Sequence, residues 1–118
     1  MSERRTRDLT LTEPLLRAYS RRGNFHSDAD AARDLGLDAL VAQGMQVAGP
    51  AFGALLDAWG DGWLDDGALE LRFVAMVRED DTVRAEVDVD ADTAVIAVLG
   101  VPDGAVRVVG QAWRRARA

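Results

Sequence analysis

The apolar residues of this chain change their spacing at Gly60, and this change limits the folds that the chain can adopt. Before Gly60, apolar side chains recur every three or four residues along 45–59, which is typical of a helix with one buried face. After it, apolar and polar residues alternate, which is typical of strands with one buried face. A long helix followed by several strands predicts a single α+β domain with an antiparallel sheet.

The predicted central helix runs from Gln46 to Trp59. A small residue such as Gly53 would let a sheet wrap closely around it. Pro50 does not fit the interior of an undisturbed helix, so it indicates either a later helix start or a kink in the first turns. We expect Phe52 and Trp59 to be core residues rather than substrate contacts.

Strands are predicted on both sides of this helix. A short first strand precedes it, and alternating apolar and polar residues with turn signals between them predict four more. The predicted ranges are 6–11, 69–73, 83–89, 93–101 and 105–113.

Two short helices are predicted between the first strand and the central helix. Thr12 is typical of a helix N-cap, and Gly23-Asn24 is typical of the end of that helix. Ser27 with Asp30 predicts a capping box at the start of the second helix, which would run through Leu35.

His26 lies between these two predicted helices and is the only histidine in the chain. Imidazole is the side chain best suited to general-base catalysis near neutral pH. The alternative to a catalytic role is that His26 is simply a hydrogen-bonded histidine in a loop. The chain has no cysteine, which excludes disulfides, thiolate catalysis and Cys-based metal sites, and one histidine excludes a histidine-rich metal site.

Several segments carry a resemblance to one family. They are FHSDADAAR at 25–33, ALVAQGM at 39–45, RFVAMVREDDT at 72–82 and VRVVGQA at 106–112. In this order they resemble MaoC-like hot-dog dehydratases and (R)-specific enoyl-thioester hydratases, whose segments read Asp-x-Asn-Pro-Ile-His-x-Asp, His-Gly-Met and Arg-Phe-x-x-Pro-Val-x-x-Gly-Asp-Thr. Met76 stands at the family's proline and Asp80 at its glycine.

The resemblance implies one hot-dog domain over residues 1–118, with an antiparallel sheet wrapped around a long central helix. It implies hydration of 2-enoyl thioesters or dehydration of 3-hydroxyacyl thioesters, without a cofactor or metal, by a homodimer that takes acyl-CoA or acyl carrier protein. The implied catalytic residues are His26 and Asn24, and the implied oxyanion donor is the Gly44 N–H. Gln43 and Met45 are the implied substrate-binding residues.

The family's catalytic Asp, five residues before its His, has no counterpart here. Ungapped alignment puts Arg21 at the Asp position and Gly23 at the Asn position, whereas a one-residue shift restores Asn24 but puts Arg22 at the Asp position. We expect both arginines on the surface, unless one turns inward to bind an anionic group of the substrate.

Three hypotheses follow from the missing acid. The chain works as a hydratase or dehydratase with His26 and a water or Asn24, it catalyses a related cyclisation or double-bond migration, or it is a weakly active partner subunit of a hetero-oligomer. Glu13 is the nearest upstream carboxylate, and Asp28 is more typical of a helix start. Thioester hydrolysis ranks lower, because the central helix carries only Asp57 near its far end.

Charge and hydropathy exclude some classes of partner. The net charge of −6 argues against general nucleic-acid binding, although arginines are concentrated at both ends of the chain. These ends either are solvated or meet an acidic carrier protein or coenzyme A. No apolar run approaches ~18 residues, so we expect a cytoplasmic protein that is not inserted in a membrane.

Overall fold

The computed structural model describes residues 2–20 and 23–115. In chain order its elements are β1 (Glu3–Thr10), α1 (Glu13–Tyr19), α2 (Ala29–Asp34), α3 (Gly44–Val47), α4 (Gly49–Trp59), α5 (Trp63–Asp66), β2 (Gly67–Phe73), β3 (Thr82–Asp90), β4 (Thr93–Val101) and β5 (Val106–Arg114). No helix in this part of the chain is long and apolar enough to cross a membrane.

One five-stranded sheet in the order β1-β3-β4-β5-β2 makes up most of the structure, and all of its strand pairs are antiparallel. Alternate residues of the strands face α4 and form the core with that helix. Almost fully buried residues from both layers include Val83, Val87, Ile96, Val98, Ala51 and Leu55. This is the expected α+β hot-dog arrangement.

The central helix differs from the predicted one at its start. A short helix, α3, begins at Gly44, two residues earlier than predicted. The longer helix α4 begins at Gly49, after a break at Ala48. Pro50 occupies the first turn of α4, where its missing N–H would have no intrahelical acceptor. The later helix start is therefore the correct alternative for this proline.

The first strand contacts both the sheet and the central helix. β1 begins at Glu3 rather than Thr6, because ion pairs with β3, and not apolar alternation, accompany its early residues. The Arg7 guanidinium binds Asp57 of α4 at 2.6 Å and lies against Gly53, where a Cβ atom would come 2.7 Å from it. Gly53 thus permits the close approach of sheet and helix that the sequence predicts.

The short helices confirm one predicted cap and correct two others. Thr12 accepts a hydrogen bond from the Leu15 N–H, as expected of an N-cap. The first helix ends at Tyr19, so Gly23, with φ of 85°, lies beyond its end instead of terminating it. The predicted Ser27 capping box is wrong, because the carboxylate of Asp28 caps α2.

Candidate functional site

His26 lies in the loop between α1 and α2, with a half-buried ring. Its Nδ1 lies 2.6 Å from the carbonyl oxygen of Val41. A carbonyl oxygen can only accept a hydrogen bond, so Nδ1 carries the proton. No described residue forms a hydrogen bond with Nε2. In the neutral ring Nε2 therefore keeps a lone pair that no described residue engages, as a general base requires.

Backbone hydrogen bonds hold Val41 in place on both sides. The Val41 N–H donates to the carbonyl of Phe25 at 3.4 Å, and Val41 forms an isolated bridge with Arg78. The next residue, Ala42, donates its N–H to the carbonyl of Val77 at 2.8 Å. The histidine is thus tied to an ordered backbone segment that leads directly into α3.

Asn24 organises the loop that carries His26. Its Oδ1 accepts hydrogen bonds from the His26 N–H at 3.0 Å, the Ser20 hydroxyl at 3.1 Å and the Ser27 hydroxyl at 3.3 Å. With three donors on one oxygen, this side-chain carbonyl has no capacity left for a substrate. The contacts that the structure gives Asn24 are those of a residue that positions His26.

Gln43 connects this loop to the beginning of α3. Its Nε2 donates to the Ser20 hydroxyl at 2.9 Å, and Ser20 in turn donates to Asn24. The amide of Gln43 is half-buried and braces the loop. Hydrogen bonds between side chains thus connect Gln43, directly before Gly44, through Ser20 to Asn24.

The Gly44 N–H begins α3 and has no hydrogen-bond acceptor among the residues that the structure describes. Gly44 lines a largely apolar cavity of about 300 Å³ together with Ala42, Val47, Phe73 and Met76. Met45 is 47% exposed and is not part of this lining. A backbone donor without an acceptor therefore lies at an apolar cavity, where it can bind an oxygen atom of a ligand.

Phe73 covers Gly44 from the end of β2. A Cβ atom on Gly44 would lie 2.8 Å from two ring carbons of Phe73, closer than atoms normally approach. The Phe73 side chain is nevertheless 48% exposed on its other side. Glycine is thus required at position 44 for the ring to pack there.

Three carboxylates that could stand in for the missing acid, those of Glu13, Asp28 and Glu79, have other partners. Glu13 binds Arg17 within α1, and Asp28 caps α2. Glu79 reaches the same region but accepts the Leu40 N–H at 3.1 Å. Arg21 and Arg22, at the family's Asp position, lie outside the described residues.

A metal has no evident place in the described part of the chain, where no group of three or more His, Asp or Glu side chains is arranged to hold an ion.

Three participants in the site could not be identified from the sequence. The carbonyl of Val41 could not be singled out from the sequence, because every residue has a backbone carbonyl. Ser20 is an ordinary polar residue in sequence and gains its role from a contact with Gln43. Phe73 lies in a segment that resembles the family, yet its contact with Gly44 joins residues far apart in sequence.

Comparison with known proteins identifies the family. The MaoC-like domain model matches residues 2–106. No curated protein matches the chain. Among solved structures, the (R)-hydratase from A. caviae involved in PHA biosynthesis is similar, with a TM-score of 0.79, 21% identity and coverage of 94% of this chain and 92% of that one.

Two complexes from Mycobacterium tuberculosis are also similar in fold. The ChsH1-ChsH2 complex has a TM-score of 0.75 at 14% identity and covers 97% of each chain. The HadBC (3R-hydroxyacyl-ACP dehydratase) complex has a TM-score of 0.67 at 22% identity and covers 95% of this chain and 92% of that one. By its family match and its fold, the chain belongs to the MaoC-like dehydratase domain family.

Proposed function

We propose that this chain catalyses the reversible hydration of 2-enoyl thioesters, or the reverse dehydration of 3-hydroxyacyl thioesters, with His26 as the general base. The observation that carries the proposal is the hydrogen bond between Nδ1 and Val41, which leaves Nε2 as the basic nitrogen. Val41 is three residues from Gly44, a backbone span of at most ~11 Å. In this proposal a small thioester headgroup would bridge His26 and the Gly44 N–H, although His26 itself does not line the apolar cavity.

In the hydration direction, His26 Nε2 takes a proton from water while the water oxygen bonds to the β-carbon of the enoyl group. Negative charge then develops on the thioester oxygen, and the unengaged Gly44 N–H stabilises it. The imidazolium returns this proton to the α-carbon through a second water. The net reaction adds one water molecule across the double bond, and it uses no carboxylate. Asn24 contributes by holding the His26 loop.

The substrate-binding residues follow from the same arrangement. Gln43 is held by Ser20 directly before Gly44, and we assign it to the wall near the thioester. Met45 is exposed beside it and would contact the pantetheine arm of acyl-CoA or acyl carrier protein. The apolar cavity would take the acyl chain. We further propose that the functional unit is a homodimer.

The test is hydration of crotonyl and longer enoyl thioesters by the purified chain and by His26→Ala. Loss of a positioned base typically lowers the rate by ~10²–10⁴. We expect kcat to fall by this factor while circular dichroism and the melting temperature stay close to those of the wild type. Arg33→Ala, on the exposed face of α2, is the matched control and should retain full activity. Unchanged turnover in His26→Ala would rule out this base.

A second candidate function is that of a partner subunit in a hetero-oligomeric dehydratase. It is favoured by the engagement of Glu13, Asp28 and Glu79 with other groups. Two of the similar structures are themselves complexes. This candidate predicts no turnover by the chain alone and turnover when a second hot-dog chain carrying the missing Asp is added. Turnover by the chain alone decides against it.

A further inference from the structure

A second cavity lies at the opposite end of the central helix from Gly44. It has a volume of about 300 Å³ and lies among the end of α4, α5, the turn between β3 and β4 and the end of β5. It shares no lining residue with the apolar cavity at Gly44, and α4, with 11 residues and a length of about 16 Å, runs between the two regions. The side chains that line it are those of Trp59, Trp63, Asp66, Asp92, Arg114 and Arg115.

The guanidinium of Arg114 is fixed on one side and unengaged on the other. Its central carbon lies 5.5 Å from the centre of the Trp59 ring, and its Nε donates to the Asp92 carboxylate at 3.1 Å. The Trp59 indole is itself held, because its N–H donates to the carbonyl of Ala91 at 3.1 Å. No described residue accepts a hydrogen bond from the two Nη atoms of Arg114. A guanidinium that is oriented in this way and keeps two N–H groups free can bind a carboxylate through both of its oxygens.

The carboxylate of Asp66 supplies the opposite charge in the same cavity. Within the described part of the chain it forms no hydrogen bond or ion pair, although it lines the cavity together with Arg115. Asp92, in contrast, is already bound to Arg114. Because an ionised carboxylate only accepts hydrogen bonds, Asp66 is available to an ammonium group.

The balance of charges in the lining selects among small ligands. Two aspartates and two arginines carry no net charge together, so the lining as a whole attracts neither anions nor cations. A ligand with only a carboxylate would leave Asp66 without a partner, and one with only an amine would leave the Arg114 Nη atoms without one. A ligand with one group of each sign satisfies both, and an apolar group can cover the exposed part of the Trp59 indole.

We propose that this cavity binds an α-amino acid with an apolar side chain. The amino-acid carboxylate is bound by the Nη atoms of Arg114, its ammonium group by Asp66, and its side chain by the Trp59 ring. The ligand thereby joins the end of β5 to α5, and it stabilises the folded chain because it binds that state alone. This site is separate from the proposed thioester site and does not depend on the proposed hydration reaction.

Isothermal titration calorimetry and thermal unfolding of the purified chain test this site. The probes are L-valine, L-leucine and L-phenylalanine, each compared with the acid that lacks its amino group and the amine that lacks its carboxyl group. We expect at least one amino acid to bind and to raise the melting temperature. Its acid and amine analogues should each bind roughly tenfold more weakly or worse, because each loses a hydrogen bond between charged groups.

Asp66→Asn should raise the Kd of the bound amino acid by the same factor, because it removes the charge that receives the ammonium group. Asp65→Asn is the matched control, since Asp65 belongs to the same short helix but does not line the cavity, and it should leave the Kd unchanged. Circular dichroism verifies that both variants are folded.

Three results would each overturn the proposal. They are no binding of any of the three amino acids, an acid or amine analogue that binds as tightly as its parent, and an unchanged Kd in Asp66→Asn. None of these measurements uses turnover, so a chain that binds the amino acid but does not hydrate enoyl thioesters would contradict only the proposed function.

Discussion

At the scale of single residues, the carbonyl of Val41 determines which nitrogen of His26 can act as a base. It holds Nδ1 at 2.6 Å, and an unprotonated Nδ1 would bring two lone pairs into repulsion. The same backbone segment then reaches Gly44, so the proposed base is hydrogen-bonded to the segment that carries the proposed oxyanion donor. The His26 loop is also held by a side chain, since Asn24 Oδ1 accepts the His26 N–H.

Gly44→Ala tests the need for space at this position. The added methyl group would lie 2.8 Å from the Phe73 ring, so we expect a lower melting temperature. We also expect a lower kcat/KM, by up to the ~10²–10³ that loss of an oxyanion donor typically causes. The double variant Gly44→Ala/Phe73→Ala removes this clash and should recover part of the melting temperature. Its kcat/KM should stay low, because under the proposed function position 44 must also admit the thioester oxygen. Full recovery of kcat/KM would mean that the clash with Phe73 was the whole effect.

Some residue-level features follow from sequence and others do not. Asp28 was expected at a helix start, and it is the cap of α2. Asp80 stands where the family has glycine, and its φ of 68° shows that the backbone there needs the left-handed conformation that glycine and aspartate tolerate. The hydrogen bonds of Asn24 with Ser20 and Gln43 with Ser20 depend on tertiary packing, which no local pattern encodes.

At the scale of elements, sequence periodicity predicts the later strands well and the first strand less well. β3, β4 and β5 match the predicted ranges closely because their apolar residues alternate and face the core. β1 is held partly by ion pairs, such as Arg84 with Asp8 at 2.8 Å, which lack a periodic signal. The start of α4 at Gly49 agrees with one of the two alternatives that Pro50 indicates, whereas the short helix α3 before it has no separate signal in the apolar spacing.

The packing of α4 against the sheet predicts a large effect of core truncation. Leu55 is fully buried, so Leu55→Ala should lower the free energy of unfolding by about 2–5 kcal/mol. Leu64 is 63% exposed and offers a matched control. Leu64→Ala should change the free energy of unfolding by less than about 0.5 kcal/mol. Urea denaturation measures both. Equal effects would contradict the assignment of Leu55 to the core.

At the scale of the whole molecule, ion pairs across the outer face of the sheet make stability depend on acidity. The hydrogen bond from Arg84 lowers the pKa of Asp8, and the one from Arg4 lowers the pKa of Asp88. A carboxyl whose pKa is lowered by folding stabilises the folded state at pH values above its ordinary pKa of 3.8. This contribution is lost as the pH falls below that value.

We therefore expect the free energy of unfolding to decrease between about pH 5 and about pH 2.5, and to do so less steeply in Asp8→Asn. Because these pairs are exposed, the difference should be small and should shrink at high salt. Urea titrations at several pH values measure it. If the free energy of unfolding depended on pH equally steeply in Asp8→Asn and in the wild type, Asp8 would not contribute to the pH dependence.

The inward arginines of β1 also bear on how large an assembly can become. On β1, one of the two edges of the sheet, Arg5 and Arg7 stand opposite the buried Val87 and Ala85 and so lie on the inner side. A strand of another molecule that paired with β1 would have to bury these two charges against its own apolar residues. Extension of the sheet at this edge is therefore disfavoured, and raising the concentration of the chain should not yield fibres that grow through β1.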